Sequence, residues 1–245
     1  MLKVGRYNWS RYGDCKQPQL PGYTTVIVMT KTSAYGSLGP YVLKDDKGRI
    51  MENIWQGSKL YPRVPKVSVP FSQKYRRIVW TWPEEIHIDS DGNITDAYWK
   101  WREALMNNPD AVRYPVGITA RHTCKCSILK TSNGYERLDY IESRKKIYIP
   151  VYTKLIQEVD DFKELRQRHE NGENLLIVEI DGPHHDSLNY YIEKYKVDKD
   201  FISVDNIIDV TVDNLKILLN DPKHPFGHGY CLAAAIGDII NQLLD

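Results

Sequence analysis

The sequence has few cysteines, almost no net charge and no long apolar run. Four cysteines among 245 residues, two of them in the pair Cys124 and Cys126, are too sparse for a disulfide framework and favour a reducing cytoplasm. A net charge of +1 excludes a protein that is basic throughout and binds nucleic acid as a polycation. No stretch is long enough to cross a bilayer and no signal-peptide pattern is present. We therefore expect a cytoplasmic protein with no membrane partner.

Phenylalanine is scarce, whereas tyrosine and tryptophan are common. The chain has 4 Phe against 17 Tyr and 6 Trp. Tyr and Trp combine a flat apolar ring with a polar tip, so they suit clefts in which bases or sugars stack. Most of them will be core and rim residues. The apolar fraction of 42% and the charged fraction of 27% are typical of a globular protein that buries a sizeable core.

The order of strand-like and helix-like segments predicts an α+β fold, in which helices cover the small mixed β-sheet of a single domain. Residues 1–22 predict an irregular N-terminal arm. No linker rich in Pro, Gly or Ser interrupts residues 23–245, which we expect to form the catalytic domain. Apolar runs predict strands at residues 24–30 and 175–180. Helical periodicity predicts helices at residues 50–61, 96–107, 152–171, 187–197, 211–220 and 230–243.

Two carboxylates stand at the end of the apolar strand predicted at residues 175–180. Glu179 and Asp181 are two apart, so they share one face, and a Gly-Pro break with His184 and His185 follows. Buried strands seldom carry acids, and strand ends are common positions for catalytic groups. We predict that Asp181 is catalytic and that Glu179 and His185 bind substrate. The alternative is that these acids cap a turn and pair with Arg or Lys.

A second group of polar residues occupies the helix predicted at residues 50–61. Glu52, Gln56 and Lys59 are spaced by four and three residues, so they share one helical face, and Trp55 lies beside them. A carboxylate, an amide, an amine and an indole on one short face can hold a ribose or a base. The alternative is a solvated helix face.

This segment resembles the E-x-x-[YW]-Q-x-x-K motif of the NADAR/YbiA-like N-glycosidases. The resemblance implies that Glu52 is the catalytic acid or the base that activates the nucleophile. It also implies that Trp55, Gln56 and Lys59 belong to a nucleotide pocket. It covers this short motif only, because the later tryptophan-glycine signature of the family is not found. In size and aromatic content the chain looks more loosely like phage-related glycosylases and pyrophosphorylases that act on modified DNA bases.

Basic residues alternate with aromatic ones in two further segments. Arg113, Arg121, Arg144 and Lys145 supply cations for phosphate oxygens, and Tyr148 supplies a ring on which a base can stack. We predict that these five residues bind substrate. The alternative is a surface edge strand whose charges guard against aggregation.

The segment His-Pro-Phe-Gly-His-Gly-Tyr opens directly onto the last predicted helix. Gly227 and Gly229 leave the backbone open at a helix N-terminus, where N–H groups and the positive dipole end attract anions. We predict that both glycines bind a phosphate and that His228 takes part in catalysis. The alternative is a helix-capping turn with a packed histidine.

Two sets of residues raise the question of a metal. Asp181 with His184, His185 and His228 offers ligands, but their spacing matches no established metal motif. Cys124 and Cys126 with the nearby His122 lack an evident fourth zinc ligand. We expect neither a metal nor another cofactor.

Together these features predict an N-glycosidase that cleaves the base–sugar bond of a modified nucleotide or of a modified base in nucleic acid, DNA included. Either Glu52 or Asp181 would stabilise the oxocarbenium-like sugar and position water. A base within a duplex would have to be flipped out. The pattern predicts that Glu52, Arg144, Asp181 and His228 line one cleft. The alternatives are a non-catalytic nucleotide-binding sensor and a metal-dependent phosphohydrolase, and the oligomeric state is left open.

Overall fold

The computed structural model describes residues 1–9, 15–28, 33–65 and 80–245. The chain forms two compact units: the first combines Met1–Gly39 with Ile149–Asp245, and the second is Pro40–Tyr148. Both units mix helices with small sheets, so the predicted α+β class is confirmed. The prediction of one catalytic domain from residue 23 stays a prediction. Among the described residues, no helix combines the length and apolarity needed to cross a lipid bilayer.

The elements are numbered here in chain order. The strands are β1 Leu2–Arg6, β2 Asn8–Trp9, β3 Cys15–Lys16, β4 Thr24–Ile27, β5 Lys59–Leu60, β6 Arg63–Val64, β7 Glu85–Ile86, β8 Cys126–Thr131, β9 Gly134–Leu138, β10 Leu175–Glu179 and β11 Ile207–Asp209. The α-helices are α1 Met51–Ser58, α2 Asp96–Met106, α3 Tyr140–Ser143, α4 Ile149–Ile156, α5 Asp160–Glu170, α6 Leu188–Tyr195, α7 Val212–Leu219, α8 His228–Ile236 and α9 Ile240–Leu244. A π-helical segment spans Arg144–Tyr148, and 3₁₀ turns lie at Gly36–Leu38, Arg121–Thr123 and His185–Ser187.

A four-stranded mixed sheet is the centre of the first unit. Its order is β11-β1-β10-β4, in which β1 and β4 run parallel to β10 and β11 runs antiparallel to β1. Every residue of β10 is buried, which explains its unbroken apolar run. The strand predicted at residues 175–180 is confirmed. Helix α8 packs against β10 and β1, and this brings its first residues to the carboxyl end of the sheet.

The irregular arm predicted over residues 1–22 is wrong at its start, because β1 lies inside this sheet. The five residues of β1 include Lys3 and Gly5, so they show too little alternation to indicate a strand. Their pairing partners are distant in sequence: Leu2 pairs with Leu175, and Lys3 with Asp209. The strand therefore depends on non-local pairing that its own residues do not reveal.

The predicted helices form, but the two longest are each interrupted. The helix predicted over 152–171 is instead α4 and α5, because Val159 is extended and Asp160 begins a new helix with an acid at its positive end. The helix predicted over 230–243 is instead α8 and α9, separated at Asp238, which adopts a left-handed φ of 55°. The apolar periodicity continues through both breaks, so it cannot reveal them.

The second unit packs α1 and α2 around an aromatic core. Gly57 permits their close approach, since a Cβ there would lie 2.8 Å from the Met106 side chain. Arg102 of α2 is buried, and its guanidinium donates to the Gly57 carbonyl at 3.2 Å and to the Ile128 carbonyl of β8 at 2.9 Å. These contacts fix the end of α1 against the antiparallel sheet β5-β8-β9. The buried hydrophobic residues of this core are Leu60, Tyr61, Val64, Tyr98, Trp101, Leu105, Val112, Val116 and Ile128.

Candidate functional sites

The predicted polar face forms a hydrogen-bonded row of Glu52 and Gln56 in α1 and Lys59 directly after the helix. These three residues are called the α1 row. The Gln56 amide donates to Glu52 Oε1 at 2.8 Å, and Lys59 Nζ donates to Gln56 Oε1 at 2.8 Å. Glu52 is 6% exposed and Gln56 7%, so the alternative of a solvated helix face is wrong. The Lys59 ammonium polarises the amide, which in turn stabilises an ionised Glu52.

Aromatic rings lie beside the α1 row. Trp55 is only half-buried, and its ring lies 5.2 Å from Lys59 Nζ and 5.1 Å from the Tyr148 ring, centroid to centroid. Tyr148 ends the π-helical segment that begins at Arg144, and the Arg144 guanidinium carbon lies 4.0 Å from the Tyr140 ring centroid. Short π-helical segments are frequent at functional sites. The structure thus brings Trp55 and Tyr148 to the α1 row.

Two of the other predicted cations, Arg113 and Arg121, form a basic aromatic patch. Arg113 and Arg121 are exposed, and their guanidinium carbons lie 5.6 and 5.8 Å from the Tyr114 ring centroid. Arg144 is buried and Lys145 half-buried in a helical segment, so the edge-strand alternative is wrong for these two. Two cations on one ring offer the contacts that a phosphate next to a base requires.

In the first unit, Glu179 lies at the carboxyl end of β10 and is 1% exposed. Its Oε1 accepts the N–H groups of Ile180 at 2.7 Å and Asp181 at 3.1 Å. Its Oε2 accepts the Gly229 N–H at 2.5 Å and lies 3.3 Å from Nδ1 of His228. Carboxylate oxygens accept hydrogen bonds, so the three main-chain N–H groups match both oxygens of Glu179. The contacts favour a structural role for Glu179 over the predicted substrate-binding role.

His228 is buried between two acceptors. Its Nδ1 faces Glu179, and its Nε2 lies 2.9 Å from the carbonyl oxygen of Val28, just after β4. Each ring nitrogen of His228 therefore faces an oxygen atom of the protein. The Tyr152 ring meets the imidazole edge-on, with centroids 6.0 Å apart. His228 therefore links the ends of β4 and β10, whereas the sequence predicted a catalytic role for it.

The glycines at the start of α8 are required by Glu179. A Cβ at Gly227 would lie 2.5 Å from the Glu179 carboxyl carbon, and one at Gly229 would lie 3.0 Å from its Oε2. These contacts favour a structural role for both glycines over the predicted phosphate-binding role. The Gly229 N–H already binds the carboxylate of Glu179, which places a negative charge of the protein itself at the positive end of the helix.

Asp181 is exposed beside this buried pair. The next residue, Gly182, has a φ of 112°, and its carbonyl accepts a hydrogen bond from the Arg6 guanidinium. Burial lowers the pKa of Arg6, although the neighbouring Tyr230, Asp181 and Glu179 act to raise it. The structure therefore assembles Asp181, Glu179 and Arg6 at the carboxyl ends of β1 and β10, where open sheets of parallel strands commonly bind ligands.

His185 is held by main-chain and amide groups. Its N–H donates to Asn206 Oδ1 at 2.8 Å, and its Nδ1 lies 2.7 Å from the carbonyl oxygen of Ile202. These bonds fix the loop after β10 and favour a structural role for this predicted substrate-binding residue.

The four residues predicted to line one cleft belong to different units. Glu52 and Arg144 lie in the second unit, and Asp181 and His228 lie in the first. Their convergence stays a prediction. In the second unit, Glu52, Gln56 and Lys59 lie together as predicted. In the first unit, the side chain of His228 contacts Glu179.

A polar network around Asp221 was missed by the sequence analysis. Asp221 is fully buried and accepts the hydroxyls of Tyr190 and Tyr191, each at 2.6 Å, while its Oδ2 lies 2.6 Å from His224 Nδ1. Burial acts to raise the pKa of Asp221, but hydrogen bonds from Tyr190, Tyr191 and His224 outweigh it and lower this pKa to about 2. The sequence signal for this network is Asp221 three residues before His224. It was overlooked because Asp-Pro is also typical of the end of a helix.

In the part of the chain that the structure describes, no three His, Cys, Asp or Glu side chains lie together as metal ligands, so neither of the two candidate ligand sets assembles there. Cys124 Sγ instead lies 3.5 Å from the Cys126 carbonyl oxygen, and both cysteines are free. The chain matches no protein-family model, no curated protein and no solved structure. The resemblance of the α1 row to the N-glycosidase motif therefore stays a prediction.

Proposed function

We propose that the protein is an N-glycosidase whose catalytic carboxylate is Glu52. The observation that carries the proposal is the α1 row, in which a nearly buried carboxylate is oriented by an amide and an ammonium. A carboxylate kept from bulk water interacts more strongly with positive charge that develops in a transition state. The substrate is a nucleotide, or a modified base in nucleic acid, DNA included.

The reaction requires one carboxylate and one water. As the bond between base and sugar breaks, the base leaves with the electron pair and takes up a proton from solvent, and positive charge develops on the sugar ring. Glu52 stabilises this charge and accepts a proton from the attacking water, whose hydroxide adds to the anomeric carbon. Gln56 and Lys59 hold the carboxylate in one orientation.

The neighbouring rings and cations suit the rest of a nucleotide. The half-exposed face of Trp55, beside Tyr148, is suited to stack on a base. Lys59 lies on the same ring, and Arg113 with Arg121 supplies exposed positive charge in the same unit. No metal or other cofactor is part of the proposal.

The test is release of free base from a panel of modified nucleosides, nucleotides and DNAs, followed by liquid chromatography and mass spectrometry. Glu52→Gln keeps the size of the side chain and removes its charge, so turnover should fall by roughly 10²–10⁴-fold while binding survives. Glu136→Gln is the matched control, because Glu136 is an exposed acid of the same unit in a surface pair with Lys146.

Two outcomes would overturn the proposal. Full turnover by the Glu52→Gln variant would move the catalytic role to another acid, with Asp181 the next to test. Tight nucleotide binding without release of base from any member of the panel would identify a nucleotide sensor.

A further inference from the structure

Three side chains of the first unit form a chain of hydroxyl, imidazole and carboxylate. Ser187 Oγ lies 3.1 Å from His224 Nε2, and His224 Nδ1 lies 2.6 Å from Asp221 Oδ2. A nucleophile within reach of a base, which a third group orients, is the arrangement that activates a serine. It recurs on unrelated folds and is recognised by geometry rather than by sequence order.

The acid end of this chain is held rigidly. Asp221 is fully buried, and the hydroxyls of Tyr190 and Tyr191 fix its two oxygens at 2.6 Å each. The Tyr191 ring also stacks on the imidazole of His224, with centroids 5.4 Å apart and planes 27° apart. With its Nδ1–H donated to Asp221, His224 presents the lone pair of Nε2 to Ser187, which is what a general base requires.

The hydroxyl end is placed where a substrate can reach it. Ser187 is the last residue of the 3₁₀ turn that leads directly into helix α6, and its hydroxyl faces His224. Ser187 is half-buried, and the His224 side chain is 14% exposed. The loop that carries Ser187 follows β10 at the carboxyl edge of the parallel strands, a common ligand position.

Two lysines place positive charge beside the ring of Tyr190. The Nζ atoms of Lys194 and Lys223 lie 5.3 and 4.3 Å from the ring centroid of Tyr190, whose hydroxyl binds Asp221. Lys194 Nζ is also 4.0 Å from Asp221 Oδ1. Two ammonium groups therefore lie on the tyrosine that binds Asp221, and their charge favours a substrate that carries a negative charge.

We propose that Ser187, His224 and Asp221 form a second catalytic site, which hydrolyses carboxylic esters that carry a negative charge. Ser187 Oγ attacks the ester carbonyl, its proton passes to His224 Nε2, and the alcohol leaves with that proton, so that an acyl-serine remains. Water then attacks the acyl-serine, gives its proton to His224, and releases the acid and the free Ser187 hydroxyl. The site is independent of the α1 row.

The first test is covalent labelling with a fluorophosphonate probe, followed by peptide mass spectrometry. The probe should label Ser187, and Ser187→Ala should abolish this label. Ser132→Ala is the control, because Ser132 is exposed in the turn between β8 and β9 and should not affect labelling. His224→Gln, which keeps a polar side chain but removes the base, should slow labelling of Ser187 by at least about 100-fold.

The second test separates chemistry from folding. In Ser187→Cys, a thiol next to His224 should react with iodoacetamide faster than the free thiols of Cys124 and Cys126, and the additional His224→Gln change should remove this advantage. With the unmodified protein, 4-nitrophenyl succinate should be hydrolysed faster than neutral 4-nitrophenyl acetate, and Lys223→Gln should reduce that preference. Absence of probe label on Ser187 in the folded protein, or labelling unaffected by His224→Gln, would overturn the proposal.

Discussion

The two units each contain a nearly buried glutamate, and the donors around them differ in kind. Glu179 in the first unit, 1% exposed, is held by three main-chain N–H groups and by His228. Glu52 in the second unit, 6% exposed, is bound by the side chain of Gln56, which Lys59 in turn orients. Main-chain donors cannot move without disrupting strand and helix, whereas side-chain donors can reorganise around a substrate.

Burial alone therefore does not identify a catalytic carboxylate. A buried acid whose oxygens are filled by the backbone joins elements of the fold, as Glu179 joins β10 to α8. An acid that accepts a side-chain amide, as Glu52 accepts that of Gln56, has a partner that can be rearranged without breaking a strand or a helix.

Replacing Glu179 by Gln should destabilise the first unit by about 3 kcal/mol, the upper end of the usual cost of leaving a buried donor without an acceptor. The amide nitrogen of Gln would point its own N–H groups at main-chain donors such as the Gly229 N–H. Urea unfolding followed by circular dichroism would measure the free energy, and hydrogen exchange of the β10 and α8 peptides would locate the loss. A change below about 1 kcal/mol would contradict the structural role.

Adding a methyl group at Gly227 should cost about 1–3 kcal/mol, the range for overpacking a filled site. The new Cβ would press on the Glu179 carboxyl carbon, 2.5 Å away. Gly229→Ala is the graded control, because its Cβ would meet Glu179 at 3.0 Å and alanine favours the helix. Equal stability of both variants, measured by the same unfolding experiment, would show that the start of α8 is looser than the structure indicates.

Sequence reasoning recovered local features and missed those that depend on distant partners. The α1 row follows from helical spacing, so Glu52, Gln56 and Lys59 could be placed on one face without a structure. The buried strand at 175–179 followed from its apolar run. The pairing of Glu179 with the Gly229 N–H joins residues 50 positions apart, and no spacing rule predicts it. A helix N-terminus therefore looked like an open phosphate site.

Lowering the pH should destabilise the second unit before the first, because the buried titrating groups of the two units have different pKa values. His87 in the second unit is 0% exposed, neither ring nitrogen has a hydrogen-bond partner among the described residues, and burial lowers its pKa to about 4. Below pH 6.5 the unfolded chain binds a proton that the folded unit excludes, so stability falls as pH drops towards 4, by about 1–3 kcal/mol. Asp221 in the first unit, with a pKa of about 2, contributes stability that is lost only below about pH 4.

The measurement is urea unfolding at pH 7.5 and pH 5, with hydrogen exchange reporting on each unit. His87→Phe, which suits the contacts of this ring with Tyr98 and Trp101, should reduce the loss in the second unit. An identical pH response in the variant would mean that other groups govern the acid sensitivity.

The smallest expected effect is on the stability of the Glu52→Gln variant, which should change by less than about 1 kcal/mol. Gln at this position still offers an oxygen to the Gln56 amide at the place of the 2.8 Å bond. Removing a nearly buried charge also removes its desolvation cost, which offsets the lost attraction to Lys59. Thermal unfolding would measure stability, and base release by the same preparation would measure turnover. Loss of turnover with the fold intact is the pattern expected of a catalytic group. If Glu52→Gln instead unfolds as readily as Glu179→Gln, the two glutamates are structural in the same sense, and the contrast between side-chain and main-chain donors does not identify the catalytic acid.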